Sequence, residues 1–250
     1  MGALHAGHQS LIAKAHELCD EVVVSVFVNP LQFEDKDDLA KYPRTPERDA
    51  ELAQEAGATV LWTPDYETIY PSEIKKLSAG ELGNRFEGVH RPGHFDGVLT
   101  VVNRLFELVK PRYALFGEKD FQQLFLITKM AAELHSDVEI VPAPTIREAS
   151  GLAMSSRNVR LNEEARLAAE VISRVLRTAS KKESVERALT TLQEISHEPL
   201  FTLDYAEIID EETFEIATDL TEKKRAIIAG WINGVRLIDN MAMKSALVQV

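Results

Sequence analysis

Short apolar runs alternate with helically spaced apolar positions through most of the chain. Residues 22–28 read Val-Val-Val-Ser-Val-Phe-Val, continuous, β-branched and short, as in a strand buried on both faces. Similar runs at 58–62, 113–116 and 138–141 predict three more strands. Between them the apolar spacing becomes three and four. Leu11, Ile12, Ala15, Leu18 and Cys19 predict a first helix. Leu52, Ala53 and Ala56 predict a second, opened by Pro46 with Thr45 as N-cap and closed by Gly57. Val98, Val101, Val102, Leu105, Phe106 and Val109 predict a third, stopped at Lys110-Pro111, and residues 121–130 a fourth. Strands and helices in this alternation imply a Rossmann-like α/β domain with a parallel sheet. Residues 34–38 form a charged loop, 64–73 are rich in turn signals, and 77–86 show little periodicity.

The texture changes after Asn158. Asn162-Glu163-Glu164 opens a helix with Val171, Ile172, Val175 and Leu176 as its stripe, and 181–195 predict another. Residues 204–209, 212–220, 225–232 and 235–238 read as strands, the last two joined by the hairpin signal Asn233-Gly234. This predicts a smaller α+β domain with an antiparallel sheet. The expected domains are 1–146 and 147–250, with a ligand site in the cleft between them.

Composition narrows the class. The 250 residues are 45% hydrophobic and 27% charged, enough for one or two globular domains. No apolar run is long enough to cross a membrane, and residues 1–11 lack the basic and apolar regions of a signal peptide. The lone Cys19 forms no intrachain disulfide and is expected to pack, which is compatible with the cytoplasm. A net charge of −12 disfavours nucleic acid as a partner but leaves room for a local basic patch around ATP.

Candidate chemistry lies just beyond strand ends and at helix starts, where ligands of parallel sheets bind. His5 and His8 stand at the first turn of the first helix, where free N–H groups and the positive dipole end suit phosphate, and Gly7 keeps the backbone bare. On these residues alone, one histidine capping the turn and the other packing remains an alternative. Gln32 follows the first strand. Its carboxamide donates and accepts without a charge that would neutralise a carboxylate. Lys119 and Asp120 follow the third strand: an ammonium for phosphate, and a carboxylate better suited to a sugar hydroxyl. Gln123 shares a helix face with Asp120. Residues 150–158 gather hydroxyls, backbone N–H groups and a guanidinium without an acid, the make-up of a phosphate site. There is no Walker loop, and no third ligand joins His5 and His8 at a metal-binding spacing.

Met1-Gly2-Ala3-Leu4-His5-Ala6-Gly7-His8, Asn29-Pro30-Leu31-Gln32-Phe33, Tyr42-Pro43-Arg44-Thr45, Arg91-Pro92-Gly93-His94-Phe95, Gly117-Glu118-Lys119-Asp120 and Ser155-Ser156-Arg157-Asn158 occur in one order, through to Arg236-Leu237-Ile238-Asp239-Asn240. Together they resemble the pantoate–β-alanine ligase family of nucleotidylyltransferase-like, adenylate-forming α/β enzymes. The resemblance implies ATP-dependent joining of pantoate to β-alanine through a pantoyl adenylate, with Mg²⁺, in a cytoplasmic homodimer. It implies that His5, His8, Lys119, Ser155, Ser156 and Arg157 offset phosphate charge. Met1, Gly117, Asp120, Ile146 and Met154 would contact the nucleotide. Gln32, Gln123, Asn29, Arg91 and His94 would line the pantoate side, and Asp49 would serve magnesium. The family pattern also has a buried strand and a Pro-Thr pair ahead of Met1-Gly2, so the sheet is expected to lack its central strand. Two other classes share parts of this pattern: a nucleotidylyltransferase acting on another small acid, and a non-catalytic nucleotide binder.

Overall fold

The computed structural model describes residues 2–32, 39–40, 42–72 and 74–244. The expectations at Met1, Phe33 and the loop 34–38 lie outside the described residues. Internal contacts divide the chain into two compact units, Met1–Ile146 and Arg147–Val250.

The first unit alternates as the apolar spacing predicts. Helix α1 (Ala6–Leu18) leads to strand β1 (Val23–Ser25), helix α2 (Pro46–Glu55) to β2 (Val60–Trp62), helix α3 (His94–Val109) to β3 (Tyr113–Gly117), and helix α4 (Phe121–Leu134) to β4 (Glu139–Ala143). The strands are parallel but form two separate pairs, β1 with β2 and β3 with β4. Among the described residues no strand joins β1 to β3. Strand β1 is shorter than its apolar run: regular pairing ends where β2 ends, although Val26 N–H still reaches the Trp62 carbonyl. Helix α3 buries Phe95, Val98, Leu99, Val101, Val102 and Phe106 against Leu126, Ile127 and Met130 of α4. Each such side chain contributes about 1.5–3 kcal/mol by leaving water. Lys110 ends α3 in the left-handed region, at φ +50°, ahead of Pro111. Cys19 is the C-cap of α1, half-buried, and not a helical core position as expected; the helix stops at Leu18, itself exposed.

In the second unit, α5 (Glu163–Ala179, capped by Asn162) and α6 (Val185–Gln193, capped by Ser184) cover an antiparallel sheet. Its strands run in the order β5 (Phe201–Asp210), β6 (Lys224–Ile232), β7 (Val235–Ala242). Ile172, Leu176, Leu192, Ile208, Ile228 and Ile232 form the core. Asn233 and Gly234 take the positive φ angles, +49° and +70°, that a tight hairpin needs. The strand expected at 212–220 is absent. The Asp210 carboxylate accepts the N–H groups of Glu212 and Thr213, and Phe214 adopts φ +61°, so the chain turns there. Strand-like pairing in this stretch is limited to an isolated bridge, Ile209 to Ile216.

Candidate active site

The first cluster forms at the N-terminus of α1. His5 is the N-cap, and its Nδ1 accepts the Gly7 N–H at 3.1 Å. His8, one turn on, accepts the His5 N–H on its own Nδ1 at 3.3 Å. The two rings thus form a reciprocal capping box, with centroids 4.1 Å apart. A backbone N–H can only donate, so both Nδ1 atoms are acceptors, and each neutral ring carries its proton on Nε2. Burial, then the charge of Lys119, lowers the His5 pKa. Burial, then His5, lowers that of His8 to about 3. Asp120 acts on both rings in the opposite sense. The turn Glu118–Asp120 between β3 and α4 therefore brings Lys119 and Asp120 up to the histidine pair, with Gly117 closing β3 behind them.

The backbone leading into α1 is clamped from α2. Ala3 adopts φ +51°. Its N–H donates to Asp49 Oδ2 at 3.0 Å and the Leu4 N–H to Oδ1 at 2.7 Å. The Thr45 hydroxyl donates to Oδ1 as well, at 3.0 Å, instead of capping α2. Asp49 is 1% exposed. A carboxylate holding three donors in a closed setting does not fit the magnesium role expected for it, and no group of three or more His, Cys, Asp or Glu among the described residues could hold a metal ion. Asp49 is a clamp on the histidine loop. Asp49→Asn leaves one of these N–H groups facing an NH₂ and is expected to cost about 1–3 kcal/mol in chemical denaturation.

The second cluster surrounds Gln32, in the helical turn Pro30–Gln32 after β1. Its backbone carbonyl accepts from His94 Nδ1 at 2.9 Å and from Arg91 Nη2 at 3.4 Å. Asn29, 2% exposed, donates from Nδ2 to the Gly97 carbonyl at 3.0 Å and to Gln32 Oε1 at 3.5 Å. Gly97 is required in α3: a Cβ there would stand 2.3 Å from the Leu31 carbonyl oxygen. Burial, then Arg91, lowers the His94 pKa to about 4, and Asp120 again raises it, which puts Asp120 within electrostatic reach of both clusters. Gln123 is half-buried in the first turn of α4, and Ile146 half-buried where the first unit ends.

His8 and His94 make stability acid-sensitive. Both hold pKa values far below the 6.5 of an unfolded imidazole, so below pH 6.5 the unfolded chain binds protons the folded one refuses. Their stabilisation is complete above pH 6.5 and is lost as pH falls toward 4 and then 3, by at most about 1.4 kcal/mol per pH unit for each ring. Thermal midpoints across pH 4–7 should fall accordingly, and His94→Gln should flatten the slope.

The other phosphate candidate lies in the second unit. Ser155 caps the turn Ser156–Arg160, its hydroxyl accepting the Arg157 N–H at 3.2 Å; Met154 precedes it, half-buried. The base of this loop is pinned. Asn158 Nδ2 donates to Glu148 Oε1 and the Ala153 carbonyl, both at 3.0 Å, and Arg166 bridges Glu148 and the Asn158 carbonyl. Arg147 makes a bidentate pair with buried Asp239, at 2.6 and 2.9 Å, and also holds the Gly151 carbonyl. Asn240 accepts from Arg225 at 2.6 Å. The motif at 236–240 is thus an anchor for the segment that carries Ser155, Ser156 and Arg157.

A family model described as pantoate-beta-alanine ligase matches residues 1–242. The chain belongs to the pantoate–β-alanine ligase family. A pantothenate synthetase of Acidothermus cellulolyticus is 45% identical over 259 residues, covering 98% of this chain and 84% of that relative. The crystal structure of the pantothenate synthetase of Thermus thermophilus superposes with a TM-score of 0.90 at 45% identity, over 96% of this chain and 90% of the other. That of the Francisella tularensis pantoate-beta-alanine ligase, complexed with beta-gamma ATP and beta-alanine, gives 0.79 at 35%, over 96% and 86%.

In this member of the pantoate–β-alanine ligase family, three polar residues escape the sequence reading. Tyr70, buried, donates its hydroxyl to Asn29 Oδ1 at 2.6 Å from 41 positions away. Gln122 accepts the Glu87 N–H and donates to the carbonyls of Leu82 and Arg85, holding the turn in which Phe86 takes φ +48°. Glu148 joins Asn158 to Arg166. None lies in a recognisable motif, because their partners are backbone groups and side chains that only the fold brings near.

Proposed function

We propose that the protein condenses pantoate with β-alanine, using ATP, to give pantothenate, AMP and pyrophosphate. A pantoate carboxylate oxygen bonds to the α-phosphorus of ATP as the bond to the bridging oxygen breaks, releasing pyrophosphate and leaving pantoyl adenylate. The β-alanine amine then attacks the acyl carbon, loses a proton and expels AMP. The observation that carries this reading is the histidine pair. Two neutral rings offer Nε2–H donors at a helix N-terminus, beside Lys119 and Asp120, in a chain of this family.

The physical obstacle is an anion approaching a polyanion. His5, His8 and Lys119 meet it as preorganised donors and charge for the phosphates, and Ser155, Ser156 and Arg157 add hydroxyls and a guanidinium of the same phosphate-binding kind. Asp120 and Gly117 take the ribose; Ile146, Met154 and Met1 contact the rest of the nucleotide. Gln32 and Gln123 grip pantoate, while Asn29, Arg91 and His94 act by holding Gln32. Mg²⁺ bound with ATP would supply further charge to offset that of the phosphates. The reading carries with it a cytoplasmic homodimer, which light scattering tests; no helix among the described residues is long and apolar enough to cross a membrane.

Product analysis with ATP, pantoate and β-alanine, omitting each acid in turn, tests the function. Pantoate-dependent exchange of pyrophosphate into ATP without β-alanine, and pantothenate only with both acids, are the expected results. Exchange that ignores pantoate would mark a different adenylyl transferase, and no exchange a binding protein.

A further inference from the structure

The orientation of the Gln32 carboxamide is set from Tyr70. Asn29 Oδ1 receives two hydrogen bonds, from the Leu31 N–H at 3.1 Å and from the Tyr70 hydroxyl at 2.6 Å. Its Nδ2 faces the Gly97 carbonyl and Gln32 Oε1. The Leu31 N–H can only donate and the Gly97 carbonyl can only accept, so the two ends of the Asn29 amide are distinguished by chemistry and not merely by assignment. With Asn29 held in that sense, Gln32 Oε1 is the end turned to protein, and its NH₂ is the end left for a ligand. A group that meets it must be an acceptor, such as a carboxylate or hydroxyl oxygen.

We propose that Tyr70 is a positioning residue for the small-acid site: through Asn29 it fixes Gln32 so that the carboxamide offers donors to the acid. The hydroxyl is well suited. The ring packs near Phe27 and Tyr66, with centroids 6.1 and 5.1 Å away, and Ile69 beside it is fully buried, so the oxygen has one place to sit. Burial pushes the phenol pKa above its usual value, so it remains a donor at neutral pH. Without it, Asn29 Oδ1 keeps only the Leu31 N–H, and the Asn29–Gln32 contact, long already at 3.5 Å, loses its support.

The proposal rests on Gln32 contacting pantoate, so its test is a double-mutant cycle of Tyr70→Phe and Gln32→Ala. Steady-state constants for pantoate, ATP and β-alanine are measured with thermal midpoints. Gln32→Ala is expected to raise the pantoate KM by about tenfold or more, and Tyr70→Phe by up to about tenfold, the worth of one hydrogen bond. The KM values for ATP and β-alanine should not move. In the Gln32→Ala background, Tyr70→Phe should add nothing to the pantoate KM, since the group it orients is gone. A Tyr70→Phe effect that persists in the double mutant marks a merely structural residue and overturns the proposal. An unchanged pantoate KM in Tyr70→Phe, beside a raised one in Gln32→Ala, overturns it while leaving the Gln32 assignment standing. An unchanged KM in Gln32→Ala removes that assignment and the proposal together. If Tyr70→Phe does not fold, Asn29→Ser, which removes the donor to Gln32, is read by the same criteria.

Discussion

Lys119→Ala is expected to slow pantoyl adenylate formation by at least about 10²–10³, or roughly 2.7–4 kcal/mol of transition-state stabilisation. The ammonium stands where β3 hands over to α4, close enough to His5 and His8 for its charge to lower both their pKa values. Negative charge grows on the leaving pyrophosphate as the new bond to the α-phosphorus forms. In the proposed reaction a cation beside that charge acts more strongly on the transition state than on bound ATP, so the loss should fall on kcat and leave the KM for ATP comparatively unmoved. Pantoate-dependent pyrophosphate exchange under saturating substrates measures the step without β-alanine. Wild-type exchange by purified Lys119→Ala would remove the lysine from the mechanism.

His5→Ala should be comparably damaging, and for two reasons that can be separated. The ring is the N-cap of α1, and in the proposed reaction it is also a donor through Nε2. Loss of the cap costs about 1 kcal/mol of stability, while loss of the donor costs about 10²–10³ in rate. His5→Asn distinguishes the two. Asparagine is a favoured N-cap, so the thermal midpoint should recover most of the way. Its short side chain turns back on the helix and cannot place a donor where Nε2 stood, so the rate should stay low. Recovery of both together would mean that capping is the whole role of His5.

The α/β alternation, the antiparallel sheet of the second unit and the location of His5, His8, Lys119 and Asp120 are legible in the sequence because they depend on local pattern. Periodicity marks α3 and α4; continuous β-branched residues mark β1; Asn233-Gly234 marks the hairpin. An apolar pattern misleads where it meets a local polar contact. Residues 212–220 alternate like a strand, but Asp210 captures two N–H groups and bends the chain. Asp49 shows the same limit. An acid in the first turn of a helix looks like a dipole partner or a metal ligand, and nothing near it in sequence shows that Ala3 and Leu4, more than forty positions away, supply its donors.

The amino-acid order by itself determined most of the segments that become strands and helices, and hence which chemical groups stand at their ends, because those outcomes turn largely on neighbours three or four residues off. The tertiary structure alone decided how these groups are held. The histidine loop is set by a carboxylate from α2, and the Gln32 amide by an asparagine, a tyrosine and a helix glycine that the sequence scatters. Hydrogen bonds are directional and short, so a side chain's orientation is a property of whatever the folded chain brings within about 3 Å of it, and that distance is not written in sequence separation.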